Sequence, residues 1–131
     1  MSRRLIRTAV VTAVAVVCTS LTGTTARAAS ADVVPPSAPH LLYYQGYYCL
    51  TLIVGVQRST DNSTPQSALV YEVFANGQRI GTMADKGTYS GVYDIQHLTQ
   101  VGQNSLTVKA VDQAGNRSRP SEARFVTGFP C

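Results

Sequence analysis

The sequence predicts an all-β protein, folded as a single antiparallel β-sandwich, and three observations carry that reading. No stretch repeats apolar residues at three- and four-residue spacing for two turns, so no helix is expected. Alternating and β-branched stretches dominate instead, with Gly, Asn and Pro punctuating them roughly every ten residues. Seven short strand candidates then fit into about 90 residues, which leaves no room for the crossover helices of a parallel sheet. A chain of 131 residues suits one domain of this kind.

Residues 1–28 read as a cleaved secretory signal rather than as part of the fold. Ser2-Arg3-Arg4-Leu5-Ile6-Arg7 is basic, Thr8 to Val17 is almost wholly apolar, and Ala26-Arg27-Ala28 puts small residues where a signal peptidase cuts. The apolar run of about ten residues is half of what a membrane span needs, so no span is expected once the signal is removed. The export route stays open. Arg3-Arg4 fits a twin-arginine signal, whereas Arg7 stands where that pattern wants an apolar residue. Val17 precedes Cys18 where a lipoprotein signal carries a small residue, so lipidation is not expected.

Loss of the signal changes both charge and cysteine chemistry. Arg3, Arg4, Arg7 and Arg27 are four of the eleven cations, and the seven left balance the seven acids, so the formal charge falls from +4 to zero. The basic excess belongs to the signal and is no argument for nucleic acid. Cys18 departs as well, leaving Cys49 and Cys131 as one pair for an oxidising compartment. A zinc or haem site would need more ligands than the isolated His40 and His97 supply, so a disulfide is expected and no metal or cofactor.

Residues 29–38 form a Pro-rich, extended lead-in, and 39–131 form the sandwich. Leu41 to Tyr44 begins the sheet, with Leu42 and Tyr44 on one face, Leu41 and Tyr43 on the other, and Gln45-Gly46 as the turn. The clearest strand runs from Tyr48 to Val56, its inward stripe Tyr48, Leu50, Leu52, Val54 and Val56. RSTDNSTPQS, residues 58–67, is a loop by composition. Leu69 to Ala75 and Gln78 to Met83 pair through Asn76-Gly77, the strongest hairpin signal in the chain. Thr88 to Ile95 is a weaker candidate, and Leu98 to Gly102 carries the chain over. Ser105 to Val111 is a clear strand closed by the turn-rich DQAGN, and Ala123 to Thr127 ends the sheet.

Four stretches together resemble a fibronectin type III domain of the immunoglobulin-like class, as found in small secreted bacterial proteins. PPSAPHL is similar to the run into the first strand, and LTLIVGVQRSTDN to the second strand and its loop. LVYEVFANGQRIGT resembles the third strand, hairpin and fourth strand; LTVKAVDQAGNRSRPS resembles the sixth strand and the turn after it. The resemblance spans about residues 35–127. Val56 stands where that family buries a tryptophan, and Asn104 or a neighbour where it places a corner tyrosine. These departures leave another immunoglobulin-like subtype or a diverged sandwich open. The family topology implies that Cys49 and Cys131 arrive at one pole, close enough to bond.

Chemistry is sparse. Asp94, His97 and a serine assemble into a triad only on paper, without a nucleophile elbow, and the acids are scattered singly through loops. No enzyme is expected. Asp61, Asn62, Asp112 and Asn116 sit in loops that the family topology brings together, as ligands for a hard cation or as turn-closing side chains. Arg117 and Arg119 suit an acidic partner or a solvated edge.

Four of the seven tyrosines fall within six positions, Tyr43, Tyr44, Tyr47 and Tyr48. Tyr48 aligns with the core stripe, so Tyr43, Tyr44 and Tyr47 are the candidate ligand contacts, since tyrosine offers rigid area with a polar tip. The resemblance implies a non-enzymatic, secreted binding module whose partner is an extracellular protein, a polysaccharide or the cell envelope. The alternative is a secreted inhibitor of an extracellular hydrolase, plugging a cleft with its aromatic turn.

Overall fold

A computed structural model describes residues 31–87 and 89–131. The expected signal at 1–28 lies outside these residues. The described chain is a β-sandwich of seven strands: β1 (Leu41–Gly46), β2 (Thr51–Val56), β3 (Val70–Ala75), β4 (Gln78–Ala84), β5 (Val92–His97), β6 (Gly102–Val111) and β7 (Arg124–Gly128). One sheet orders β1-β2-β5 and the other β4-β3-β6-β7, with every pair antiparallel. One 3-10 turn, Gln66–Ala68, interrupts the loop before β3.

Inward-pointing residues of both sheets form one core. Leu52, Val54 and Val56 of β2 meet Tyr71, Val73 and Ala75 of β3 and Leu106, Val108 and Ala110 of β6, all fully buried. Tyr71 is the largest side chain in that core. Its hydroxyl accepts a hydrogen bond from the Ser59 backbone N–H at 2.8 Å.

The Asn76-Gly77 hairpin forms as its sequence demands, with φ of 53° and 80°. Strand β5 begins and ends later than expected, at Val92 and His97. Three further differences concern the first hairpin. Leu42 is the extra residue of a bulge, because Leu41 pairs with Val56 and Tyr43 already with Gly55. The bulge changes the alternation, so Leu42 and Tyr43 face out while Tyr44 turns in against the core.

Gln45-Gly46 is not the turn. Both residues continue β1, pairing with Ile53 and Leu52. Glycine is required at 46 by proximity: a Cβ there would lie 1.9 Å from the Thr127 carbonyl oxygen of β7. The turn falls on residues 47–50, and β2 therefore starts at Thr51 rather than Tyr48. Cys49 and Leu50 both adopt left-handed φ, 58° and 57°, which ends the alternation and throws Tyr48 into solvent, 77% exposed. Tyr48 is thus not a core residue.

That costly turn is held by the C-terminal segment. The N–H groups of Cys49 and Leu50 donate to Pro130 O and Phe129 O at 3.3 and 2.9 Å, and Cys49 is disulfide-bonded to Cys131 with Cα atoms 4.1 Å apart. Tyr48 packs its ring against Phe129 beside the bridge, centroids 6.1 Å apart.

Asn104 is fully buried at the start of β6. Its amide donates to Gln100 O at 3.1 Å and Gly102 O at 2.9 Å, and its carbonyl oxygen accepts from Asn76 Nδ2 at 2.9 Å. It ties a strand start to the backbone just upstream, the task a corner tyrosine performs in other sandwiches. Asn104→Ala is expected to cost about 2 kcal/mol by leaving these carbonyls unpaired. A urea midpoint equal to that of the wild type would show that water replaces the amide without loss.

Candidate functional site

The two sheets carry opposite chemistry on their outer faces. On the four-stranded sheet, Glu72 is buried beneath two arginines, receiving bonds from Arg79 Nη1 at 2.9 Å and Arg117 Nε at 3.0 Å. Those cations, Arg117 foremost, hold the Glu72 carboxyl below its ordinary range. Lys109 sits over the Phe74 ring at 5.3 Å. Arg117 is therefore engaged within the molecule rather than waiting for an acidic partner, while Arg119 is exposed.

The outer face of β1-β2-β5 is aromatic and aliphatic. Cross-strand pairing sets Tyr43, Gly55 and Tyr93 in one row, Gln45, Ile53 and Ile95 in the next, and Thr51 beside His97 at the disulfide end. Among the described residues, no Lys, Arg, Asp or Glu occupies an outward position on these strands.

Four tyrosines dominate this face as two pairs. The hydroxyls of Tyr43 and Tyr47 lie 3.2 Å apart, the rings 40% and 42% exposed, and that bond pushes the Tyr43 phenol above its ordinary value. Tyr89, 66% exposed, stands edge-on to Tyr93 with centroids 5.6 Å apart, and the two line a recess of about 240 Å³. Gly55 makes room between the pairs. A Cβ there would lie 2.2 Å from Tyr93 Cε1, so the Tyr93 ring lies over bare backbone.

Of the three tyrosines the sequence offers as contacts, Tyr43 and Tyr47 share this face. Tyr44 does not; it lines a shallow groove of about 210 Å³ between β1 and β7, with Phe125, Thr127 and Phe129. Tyr89 and Tyr93, which the sequence reading did not single out, also lie on this face. Nothing local in the sequence joins them to Tyr43, because β5 reaches β2 only through the fold.

At the opposite pole the two Asp/Asn loops do meet. Asp112 accepts both the N–H and the side-chain amide of Asn116 at 2.7 Å, and Asp61 accepts the Thr64 N–H at 2.7 Å. These are turn-closing bonds. Asp32 of the lead-in joins them, so carboxylate oxygens of Asp32, Asp61 and Asp112 lie within 4.8 Å of one another. Hydrogen bonds offset the mutual repulsion: Ser63 chiefly lowers Asp32, and the Thr64 N–H chiefly lowers Asp61.

Asp94 and His97 do not form a dyad. Their odd spacing puts them on opposite faces of β5, and Asp94 instead pairs with Lys86 at 3.4 Å.

An ion pair anchors the loop leading to Tyr89. Asp85 accepts Arg58 Nε at 2.5 Å and Nη2 at 2.8 Å, its side chain only 4% exposed. The guanidinium, helped by the Gly87 N–H, lowers its carboxyl to about 2. A lowered folded-state value means the ionised form stabilises the fold: its contribution is complete above the usual carboxylate range and lost as pH falls toward 2. Asp85→Asn is accordingly expected to cost about 2 kcal/mol at pH 7. Thermal unfolding of both proteins at pH 7 and 2.5 tests this, and a gap that fails to narrow in acid refutes it.

The architecture is a fibronectin type III-like β-sandwich. The chain is similar to the fibronectin(III)-like modules of CbhA from Clostridium thermocellum, with a TM-score of 0.55 and 16% identity over 75% of this chain and 48% of that one. It is likewise similar to the spore cortex lytic enzyme SleM of Clostridium perfringens, with a TM-score of 0.54 and 18% identity over 72% of this chain and 29% of that one. At such identities the likeness is one of fold. The chain spans less than half the length of either neighbour. No protein-family profile matches it, and no curated protein matches it in sequence. No helix among the described residues is long and apolar enough to cross a membrane, and the disulfide fits an extracellular protein.

Proposed function

We propose that this protein is a non-catalytic, secreted binding module whose contact surface is the tyrosine face of the β1-β2-β5 sheet. The observation that carries the reading is the coincidence of exposed rings with an absence of charge. Tyr43, Tyr47, Tyr89 and Tyr93 share one sheet face with Leu42, Ile53 and Ile95, and no formal charge sits at its outward strand positions. A contiguous exposed apolar surface is unfavourable in water and marks an interaction site. The opposite sheet, studded with ion pairs, is what a merely solvated face looks like. An inhibitor would push a protruding loop into a cleft, whereas Tyr43 and Tyr93 lie on strands of the sheet. The presence of this fold in a spore cortex lytic enzyme supports a partner in or near a cell envelope.

The test is co-sedimentation of the exported protein with insoluble bacterial cell wall, cellulose and chitin. Tyr43→Ala combined with Tyr93→Ala is expected to lower the retained fraction by about tenfold or more without changing the melting temperature by more than a few degrees. Retention of the double variant equal to that of the wild type would remove the tyrosine face from the binding surface.

A further inference from the structure

The chemistry of the same face narrows what it can hold. Each tyrosine offers an apolar ring with one hydroxyl at its tip, and the polar groups among them are uncharged amides and hydroxyls, Gln45 and Thr51, with His97 at one end. A charged ligand finds no counter-ion at the outward strand positions. A second copy of the chain, packed face to face, would press hydroxyl tips against apolar rings and leave them without partners. A sugar ring has the matching construction, an apolar C–H face edged by hydroxyls that both donate and accept.

The layout adds an extent. Tyr43 stands on β1 and Tyr93 on β5, the two outer strands of a three-stranded sheet, so their backbones are separated by two strand spacings, about 10 Å. Gly55, between them on β2, is what lets the Tyr93 ring lie over the central strand.

We infer that the face binds a neutral polysaccharide, an extended chain laid across the three strands so that successive sugar rings stack on the two tyrosine pairs. This rests on the binding-module reading and adds the class of ligand to it. The binding is insensitive to salt, because no ion pair contributes.

Isothermal titration of the exported protein with cellohexaose and with chitohexaose, and with polygalacturonate as the anionic control, tests the assignment. At least one neutral hexasaccharide is expected to bind, equally at 50 and 500 mM salt, and polygalacturonate not to. Tyr43→Ala or Tyr93→Ala each is expected to weaken that binding by about tenfold, of the order lost when a ring that stacks on a nucleobase is removed. Tyr48→Ala, on the disulfide pole, leaves it unchanged. Gly55→Ala, which displaces the Tyr93 ring without substituting any tyrosine, also weakens it. Should one of these variants unfold, far-UV circular dichroism will reveal it and the remaining variants decide.

Failure of both neutral hexasaccharides to bind overturns the ligand class, as does preference for polygalacturonate. A concentration-dependent dimer lost in Tyr43→Ala, without sugar binding, assigns the face to self-association instead. If no neutral sugar binds but the double variant still loses retention on cell wall, the binding face stands and only the neutral polysaccharide falls.

Discussion

Cys49→Ser with Cys131→Ser is expected to destabilise the protein by about 4 kcal/mol, through the entropy regained by an unfolded chain no longer closed into a loop. The bridge joins residues 82 apart. Its loss also releases the turn at 47–50, where Cys49 and Leu50 sit in left-handed conformations that their side chains disfavour. Among the described residues, two backbone hydrogen bonds, to Phe129 O and Pro130 O, and the Tyr48–Phe129 ring contact would then hold that turn to the C-terminal segment. Denaturant unfolding of the wild type with and without reductant, beside the double serine variant, measures the effect. A difference below about 1 kcal/mol would mean that these backbone bonds fix the pole unaided. Because Tyr47 sits in this turn, reduction should also loosen the Tyr43–Tyr47 pair, whereas Tyr89 and Tyr93 lie at the other edge of the sheet and should keep their contact.

Tyr71→Ala is the second large effect, about 4 kcal/mol, since it empties the largest fully buried side-chain volume in the core. Tyr71→Phe separates the two roles of this residue. It keeps the ring and removes only the acceptor for the Ser59 N–H, and is expected to cost about 1–2 kcal/mol. Equal losses for the two substitutions would place the stabilisation in the hydroxyl rather than in the packed ring. Neither change touches the tyrosine face, so sugar or wall binding by any folded fraction should be that of the wild type.

What the sequence made legible follows the range of the forces involved. The Asn76-Gly77 hairpin and the strands beside it obey local rules: two residues tolerant of positive φ between alternating stretches. The pairing of Cys49 with Cys131 followed from their number and from the family topology. The phase of β1 did not follow, because a bulge at Leu42 depends on how β1 docks on β2 rather than on leucine itself. Nor did the turn at 47–50 announce itself, since cysteine and leucine are poor signals for left-handed backbone; the C-terminal segment imposes that conformation from outside. Gly46 misled for a related reason. It looked like a turn residue, and it is a point of close approach to β7.

The candidate site divides in the same way. Tyr43 and Tyr47 were visible as part of a dense cluster, while Tyr89 and Tyr93 join them only because β5 lies next to β2. Asp32 likewise reaches Asp61 and Asp112 through the path of the lead-in, which Ser37 fastens by donating its N–H to Thr60 O at 2.8 Å.

The unlike outer faces of the two sheets have a consequence beyond affinity. A body with ion pairs on one side and uncharged tyrosines on the other behaves at a boundary as a two-sided tile. If the proposed face binds an uncharged wall, the molecule is expected to lie down on it in one orientation, rings inward and arginines toward water. Both poles then lie in the plane, so crowded molecules meet edge to edge. Coverage of such a surface should therefore saturate at a single layer, with the charged side repelling a second.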